Sequence, residues 1–506
     1  MSVAVQYTFG KELEDKLFGC ARLSIESQIK PTYKKMHIVF SLDRSGSMSD
    51  TGRDERSKLE HAIHTLLNSI DFLVQSYKNV KEPVTILVSV LAFDHDVEEI
   101  GLYVNILNST ECYLLKQQIK ELEPRGCTDI GRVLYKVKAG LETTTEIYGE
   151  EMERVHIFMT DGHPTEGITE IDDLVDLVDS SYRNVFIGYG TDHNYKLLKN
   201  MGDLKNGSNY FAESYERAGM VYGEILQNVL FAYPTSISLS LTRSGEVYDP
   251  KSNCWVEKLE VENIAFGDTK TFNLRAEKED NPMVSYLIGE GTTNITLDWG
   301  TNVDPTSDSC SNELNYHGLE EAYLRQRVLE YLAKCLLVTE NSSRKELRTC
   351  GRELLQELKG LSEKPEWKQS RLLRQLQDDI YVGLKSLDCY NGSMYAGARL
   401  QSLGSQRGYN VCELDGMTPR VPAVSSAAVS SPMRRIASHR FGNMVPSLPL
   451  SSSSPNPADV VETDDVGASD SPVLVLPEHQ MSDRADSCFA SPFAAVAMRQ
   501  CSQPRD

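Results

Sequence analysis

The stretch Ile38-Val39-Phe40-Ser41-Leu42-Asp43-Arg44-Ser45-Gly46-Ser47 decides the fold. Its first five residues, mostly apolar and bounded by a turn, read as a buried strand. The strand ends on an aspartate, and Asp43, Ser45 and Ser47 stand at i, i+2 and i+4. That is a run of hard oxygen donors, which suits Mg²⁺ or another hard divalent cation better than Zn²⁺ or copper. Arg44 and Gly46 alternate with the donors and are expected to point elsewhere.

Two later segments extend the pattern. Gly126-Cys127-Thr128-Asp129-Ile130-Gly131 is a tight loop ahead of a helical repeat at Val133, Leu134 and Val137. Val155-His156-Ile157-Phe158-Met159-Thr160-Asp161-Gly162 is a second apolar strand that ends on an aspartate and a turn glycine. In this order and spacing the three segments resemble the metal-ion-dependent adhesion site of the von Willebrand factor A (VWA) domain family. The resemblance implies that Asp43, Ser45, Ser47, Thr128 and Asp161 ligate a metal, Mg²⁺ in the first place, with Mn²⁺ and Ca²⁺ able to use the same oxygens. It also implies that a partner's Asp or Glu completes the metal shell. Neutral hydroxyls suit such a site because they fill coordination places without neutralising the ion. Cys127, beside the loop, reads as a small packed apolar residue.

Around these motifs, residues 35–232 alternate strand and helix signals, with strands at Met36 to Leu42, Val84 to Phe93, Val155 to Thr160, Val185 to Gly188 and Tyr210-Phe211. This predicts an α/β fold with a doubly wound, mainly parallel, Rossmann-like sheet. Ligands of such sheets bind beyond the carboxyl ends of the strands, where Asp43 and Asp161 fall. Residues 233–305 switch to period two, as in Ser236 to Leu241 and Thr269 to Leu274, and predict a small β-sandwich. The N-terminal segment 1–34 offers one more alternating strand, Ala21 to Glu26, for that sandwich. Residues 317–412 turn helical, with stripes at Leu324, Val328, Leu332 and Leu336, at Leu347, Leu354, Leu355, Leu358 and Leu361, and at Leu372, Leu373, Leu376 and Ile380. Pro365 separates the second stripe from the third.

Residues 413–506 are rich in Ser, Pro and Ala and are expected to form a disordered tail. Ser431, Ser454, Ser471 and Ser491 each precede proline, and Arg434-Arg435 precede Ser438, which makes these five serines candidate phosphorylation sites.

The 506 residues are 40% hydrophobic and 25% charged, an ordinary globular composition with room for two or three domains. A formal net charge of -21 argues against nucleic-acid binding. No apolar run approaches a membrane span, and Met1 to Tyr7 does not read as a signal peptide. Eleven cysteines without a Cys-x-x-Cys pair form neither a zinc ribbon nor a disulfide framework. The expectation is a cytoplasmic chain with reduced thiols and an unused sequon at Asn294-Ile295-Thr296.

Over residues 1–412 the order of elements, and Gly397-Ala398-Arg399-Leu400-Gln401-Ser402-Leu403 with Ser405-Gln406-Arg407, is similar to VWA-containing RING ubiquitin ligases of plants and related protist and viral proteins. The paired cysteines of the RING are missing here, so ligase activity is not carried over. The leading expectation is a metal-dependent protein-binding protein, an adhesion or scaffold module rather than an enzyme. The alternatives are a metal-dependent hydrolase and a non-catalytic scaffold of the ubiquitin pathway. For a hydrolase, Asp94, His95 and Asp96 are imaginable extra ligands and His163 a general base; they also read as a solvated cap and a surface turn. No Gly-x-x-x-x-Gly-Lys-Ser/Thr loop is present.

Overall fold

The structure, a computed structural model, describes residues 3–277, 284–288, 293–297, 316–338, 341–419, 481 and 486–504, apart from short runs at 27, 29, 53, 234–236, 242–244, 262–263, 413 and 415–416. Two antiparallel strands, β1 (Val3–Leu13) and β2 (Lys16–Ile25), precede β3 (Lys35–Asp43), α1 (Lys58–Tyr77), β4 (Thr85–Phe93), β5 (Val97–Asn105) and α2 (Ser109–Lys120). There follow α3 (Ile130–Tyr148), β6 (Glu153–Thr160), α4 (Ile171–Asp176), β7 (Arg183–Tyr189), α5 (Tyr195–Gly202), β8 (Gly207–Ala212) and α6 (Ala218–Leu230).

The strands β3 to β8 form one sheet in the order β5-β4-β3-β6-β7-β8, parallel except for β5. Near-continuous apolar strands are what a sheet covered on both faces requires. Ile38, Phe40 and Leu42 of β3 pack toward α1, α2 and α6, and Val39 packs toward α3, α4 and α5. The antiparallel strand β5 and the helix α2 are additions to the sequence reading. The run Val97-Glu98-Glu99-Ile100 carries the charges of a solvated edge and so lacks the apolar signal of the inner strands.

Beyond α6 come β9 (Ile237–Leu241), β10 (Glu246–Asp249), β11 (Cys254–Val256), β12 (Lys258–Val261), β13 (Thr269–Ala276), β14 (Val284–Ile288) and β15 (Thr293–Leu297). They form two sheets, β1-β2-β13-β10-β11 and β12-β9-β14-β15, so the N-terminal segment contributes two strands. Four helices follow, α7 (Tyr316–Leu337), α8 (Asn341–Ser362), α9 (Arg371–Ser386) and α10 (Gly392–Ser405). A buried Arg399–Asp379 pair at 2.9 Å ties α10 to α9. On the side of the parallel sheet, α10 sets Tyr395 against Phe211 at 5.3 Å, and Gln401 donates to Asn209 at 2.7 Å. Among the described residues no helix is long and apolar enough to cross a membrane.

The end of the chain corrects the sequence reading of an unordered tail from 413 to 506. The helix α11 (Pro492–Cys501) begins at Ser491, whose hydroxyl accepts the Ala494 N–H. It buries Ala494, Ala497, Met498 and Cys501. Its seat is α6, where Gly219 and Gly223 let the two backbones meet: a Cβ on Gly223 would stand 2.4 Å from Met498 Cα. The small apolar face of α11 is too short to stand out by periodicity, and its partners, α6 above all and α1 beside it, lie far away in sequence. Ser431, Ser438, Ser454 and Ser471 lie outside the described residues.

Two polar chains cross the core under α3. His156 Nε2 meets Ser41 Oγ at 2.9 Å and its Nδ1 meets Asn184 at 3.2 Å, while His37 bridges Ser89 and Thr144 at 2.9 and 2.8 Å. Burial pushes the pKa of both histidines down to about 4. They are neutral at pH 7, and on acidification the unfolded chain takes up these protons first, so stability is lost as pH falls from about 6.5 toward 4. Chemical denaturation of His156→Gln across that window should give a slope shallower than wild type by about 1.4 kcal/mol per pH unit. Gly223→Ala should cost about 1–3 kcal/mol at neutral pH, because the clash is with backbone rather than with a side chain that can swing away.

Candidate metal centre

The adjacent parallel strands β3 and β6 align Leu42 with Met159, so the aspartates that follow, Asp43 and Asp161, emerge side by side. Both are fully buried. Asp43 Oδ2 accepts the Thr160 hydroxyl at 2.5 Å, and Oδ1 accepts the Ser45 N–H at 2.7 Å. A 3-10 turn, Gly46–Ser49, carries Ser47 back over the strand ends. There Ser47 donates to Asp161 Oδ1 at 2.7 Å and lies 3.2 Å from the Ser45 hydroxyl.

The third loop is stitched to the first by Gly46 N–H to Gly126 O at 3.1 Å and Arg125 N–H to Arg44 O at 2.7 Å. Gly126 has φ +74, and a Cβ there would stand 2.3 Å from His95 Nδ1, so this turn needs glycine. Thr128 is held by its backbone, with its N–H on Thr165 Oγ1 and its carbonyl on the Thr165 N–H, both at 2.9 Å. Its hydroxyl faces Ser47 across Gly162. The point where a Gly162 Cβ would sit lies 3.8 Å from Ser47 Oγ and 3.9 Å from Thr128 Oγ1, a space framed by two hydroxyls and kept open by glycine.

All five residues singled out in the sequence thus meet at one end of the sheet. The set is oxygen-only. Ser45, Ser47 and Asp161 are joined by hydrogen bonds of 3.2 and 2.7 Å, so their oxygens already converge on one another. Burial pushes the Asp43 carboxyl up to about 6 against the hydrogen bonds from Thr160 and Ser45, with the charge of Asp161 adding to the rise.

One participant is absent from the sequence reading. Lys58, the first residue of α1 and 1% exposed, donates to Asp161 Oδ2 at 2.7 Å. It also reaches Asp50 at 3.1 Å and Asp192 at 3.7 Å. Burial pulls this ammonium down and Asp161 more than offsets it, so its pKa lies above the ordinary value. A cation at a helix N-terminus opposes the helix dipole, and that misplacement was the one signal available in the sequence.

Several expectations are revised. Asp94 is not a solvated cap: it is fully buried, with Arg44 Nε at 2.9 Å and Arg125 Nε at 2.7 Å on one oxygen. Burial would raise its carboxyl, but Arg125, the Asp96 N–H and Arg44 hold it below the usual range. Already neutralised, it is no spare metal ligand. Arg44 turns away from the donor set, as expected, toward Asp94 and Glu98. His95, Asp96 and His163 are exposed. Cys127 is exposed too, whereas Thr128 and Asp129 after it are buried. A second group, Asp54, His61 and Glu216, brings one ligand atom each within 4.8 Å of the others. There Arg56 already holds Asp54 at 2.7 Å and His61 at 2.9 Å completes the contact.

Comparison with known proteins agrees with this fold. Residues 37–224 match the family model of the von Willebrand factor type A domain, and the sheet with its flanking helices has the VWA fold. Among solved structures the chain is similar to a von Willebrand factor type A protein from Catenulispora acidiphila, at 14% identity and TM-score 0.48, covering 74% of this chain and 89% of that one. It is also similar to the ArnB paralog VWA2 from Sulfolobus acidocaldarius, at 17% identity and TM-score 0.42, covering 80% and 99%. A third is proximal thread matrix protein 1 from the mussel byssus with a zinc-occupied MIDAS motif, at 18% identity and TM-score 0.32, covering 39% and 48%. Among curated proteins none matches the chain.

The role given to Asp94 is checked by Asp94→Ala. Leaving buried Arg44 with only the half-exposed Glu98 as its partner should lower stability by about 3 kcal/mol in denaturant titrations. Most of the loss should already appear in EDTA, as befits a loop clamp rather than a ligand.

Proposed function

We propose that this VWA domain holds a divalent cation through Asp43, Ser45, Ser47, Thr128 and Asp161, and that it captures an acidic side chain of a protein partner there. VWA domains are commonly metal-dependent adhesion or protein-binding modules, which is the general setting for this reading. The observation that carries it is the convergence of two fully buried carboxylates and the Ser45, Ser47 and Thr128 hydroxyls, an oxygen-only donor set, at the strand ends. We take the ion to be Mg²⁺, since hard oxygen donors suit it, and Mn²⁺ and Ca²⁺ can use the same donors. When bound, the ion supplies a Lewis-acidic position that a carboxylate oxygen can complete.

The chain's own part is positional. Thr160 and the Ser45 N–H orient Asp43, Ser47 orients Asp161, and Gly162 leaves the two hydroxyls uncovered. Hydrolysis draws no support from the surroundings, since Asp94 is spoken for by two arginines and His163 stands in an exposed turn. The ten cysteines among the described residues are all free, which supports work in a reducing compartment, the cytoplasm. We read the sandwich (233–305 with 1–34) and the helical region (317–412) as a scaffold that presents the domain, in keeping with the packing of α10 on β8.

A paired pull-down in Mg²⁺ and in EDTA, with wild type and Asp43→Ala/Ser45→Ala, tests this. Partners should disappear with either treatment, and Thr128→Ala should weaken capture at least ~10-fold while the fold survives. Partners indifferent to both EDTA and the double substitution would overturn the reading.

A further inference from the structure

The buried lysine has a consequence for any cation the site binds. Lys58 Nζ lies 2.7 Å from Asp161 Oδ2, while the other oxygen of that carboxylate accepts Ser47 at 2.7 Å. The carboxylate is therefore divided: one oxygen faces the hydroxyl donors and the other faces a fixed positive charge. Lys58 cannot leave easily. Its residue is 1% exposed, its own carbonyl accepts the Tyr189 hydroxyl at 3.2 Å, and its ammonium lies 5.5 Å from the centre of the Tyr215 ring. Ser57 and Glu60 lock the turn that carries it in a reciprocal cap, with bonds of 3.1 and 2.6 Å.

We propose that Lys58 is a built-in counter-ion of the metal centre, a positioning residue that tunes its affinity and its charge. This rests on the reading of the five oxygens as a metal site. The ammonium takes Asp161 Oδ2, keeps Oδ1 turned toward Ser47, and prevents the carboxylate from offering both oxygens to one ion. It also changes the formal charge of the site: Asp43 and Asp161 together carry -2, and with Lys58 the sum is -1. A dication meeting -1 is held less tightly than one meeting -2. The filled site then keeps one surplus positive charge, which favours an arriving carboxylate over water or chloride. Asp50 and Asp192 touch the same ammonium but are 63% and 72% exposed, so water screens them and they contribute little to this balance.

The test is isothermal titration of Mg²⁺ alone, and separately Mn²⁺ alone, into the full chain, with thermal unfolding in EDTA and in Mg²⁺. Lys58→Met removes the charge and the donor; Lys58→Gln removes the charge and keeps a donor for Asp161. Both should bind the ions at least ~10-fold more tightly than wild type, while unfolding at lower temperature in EDTA and regaining the difference in Mg²⁺. Lys58→Arg should stay within about 3-fold of wild type. A lysine that served only to hold the fold would lower EDTA stability and metal affinity together, so unchanged or weaker binding by a folded Lys58→Gln overturns the proposal. Asp43→Ala/Ser45→Ala, run alongside, separates the two claims. If it binds Mg²⁺ like wild type, or if wild type binds none, the metal-site reading itself has failed.

Discussion

Two carboxylates that cannot reach water govern this end of the molecule. Asp43 and Asp161 follow adjacent parallel strands, and each is sealed from solvent. Burial penalises their charge, and their proximity penalises it again. The chain responds locally and incompletely. A hydroxyl and an N–H serve Asp43, and a hydroxyl and an ammonium serve Asp161. The lysine serves Asp161, and the Asp43 carboxyl is still raised to about 6 by burial. Such a pair is stable enough to fold, yet keeps an unmet demand for positive charge.

The loops around the pair are built so that the donors cannot drift. Arg44 interrupts the donor run, and its side chain goes sideways into Asp94, which also collects Arg125. That one buried carboxylate therefore pins the first loop to the third. Gly126 brings the third loop against His95, and Thr128 is gripped by its backbone so that its side chain is left for the site. Donors held by neighbours that have no other task are the condition for a centre that loses little entropy on binding.

How much of this is legible in the sequence depends on the range of the interactions. Parallel strands announce themselves because each is apolar along its whole length, and a terminal aspartate stands out against that background. The order of the three loop segments then suffices to bring Asp43, Thr128 and Asp161 to one end. What escapes notice is set by partners far away in sequence. Asp94 looks like a solvated loop acid because its arginines lie 50 residues before and 31 after it. Lys58 looks like an ordinary helix-opening residue until Asp161, 103 positions on, is seen beside it. The edge strand β5 hides behind its own charges, and Cys127 is misjudged because which of two loop neighbours turns inward is a matter of backbone direction, not of residue type.

The same dependence on distant partners reaches the helix behind the site. Along α6, Gly219 and Gly223 admit the backbone of α11, and the fully buried Glu224 receives the N–H groups of Gly408 and Tyr409 at 2.8 and 2.7 Å. Burial pushes this carboxyl up to about 7 against the charge of Arg407 and the Gly408 hydrogen bond, so its two backbone bonds are made at a cost that only a closed structure repays. A helix committed on two sides in this way has one seat, and α6 packs against α1. The chain's last helix also touches α1 directly, where Asn68 donates to Cys501 O at 3.0 Å and to Gln503 O at 2.8 Å. Since α1 begins with Lys58, the position of this buried cation beside Asp161 depends on residues from the far end of the described chain.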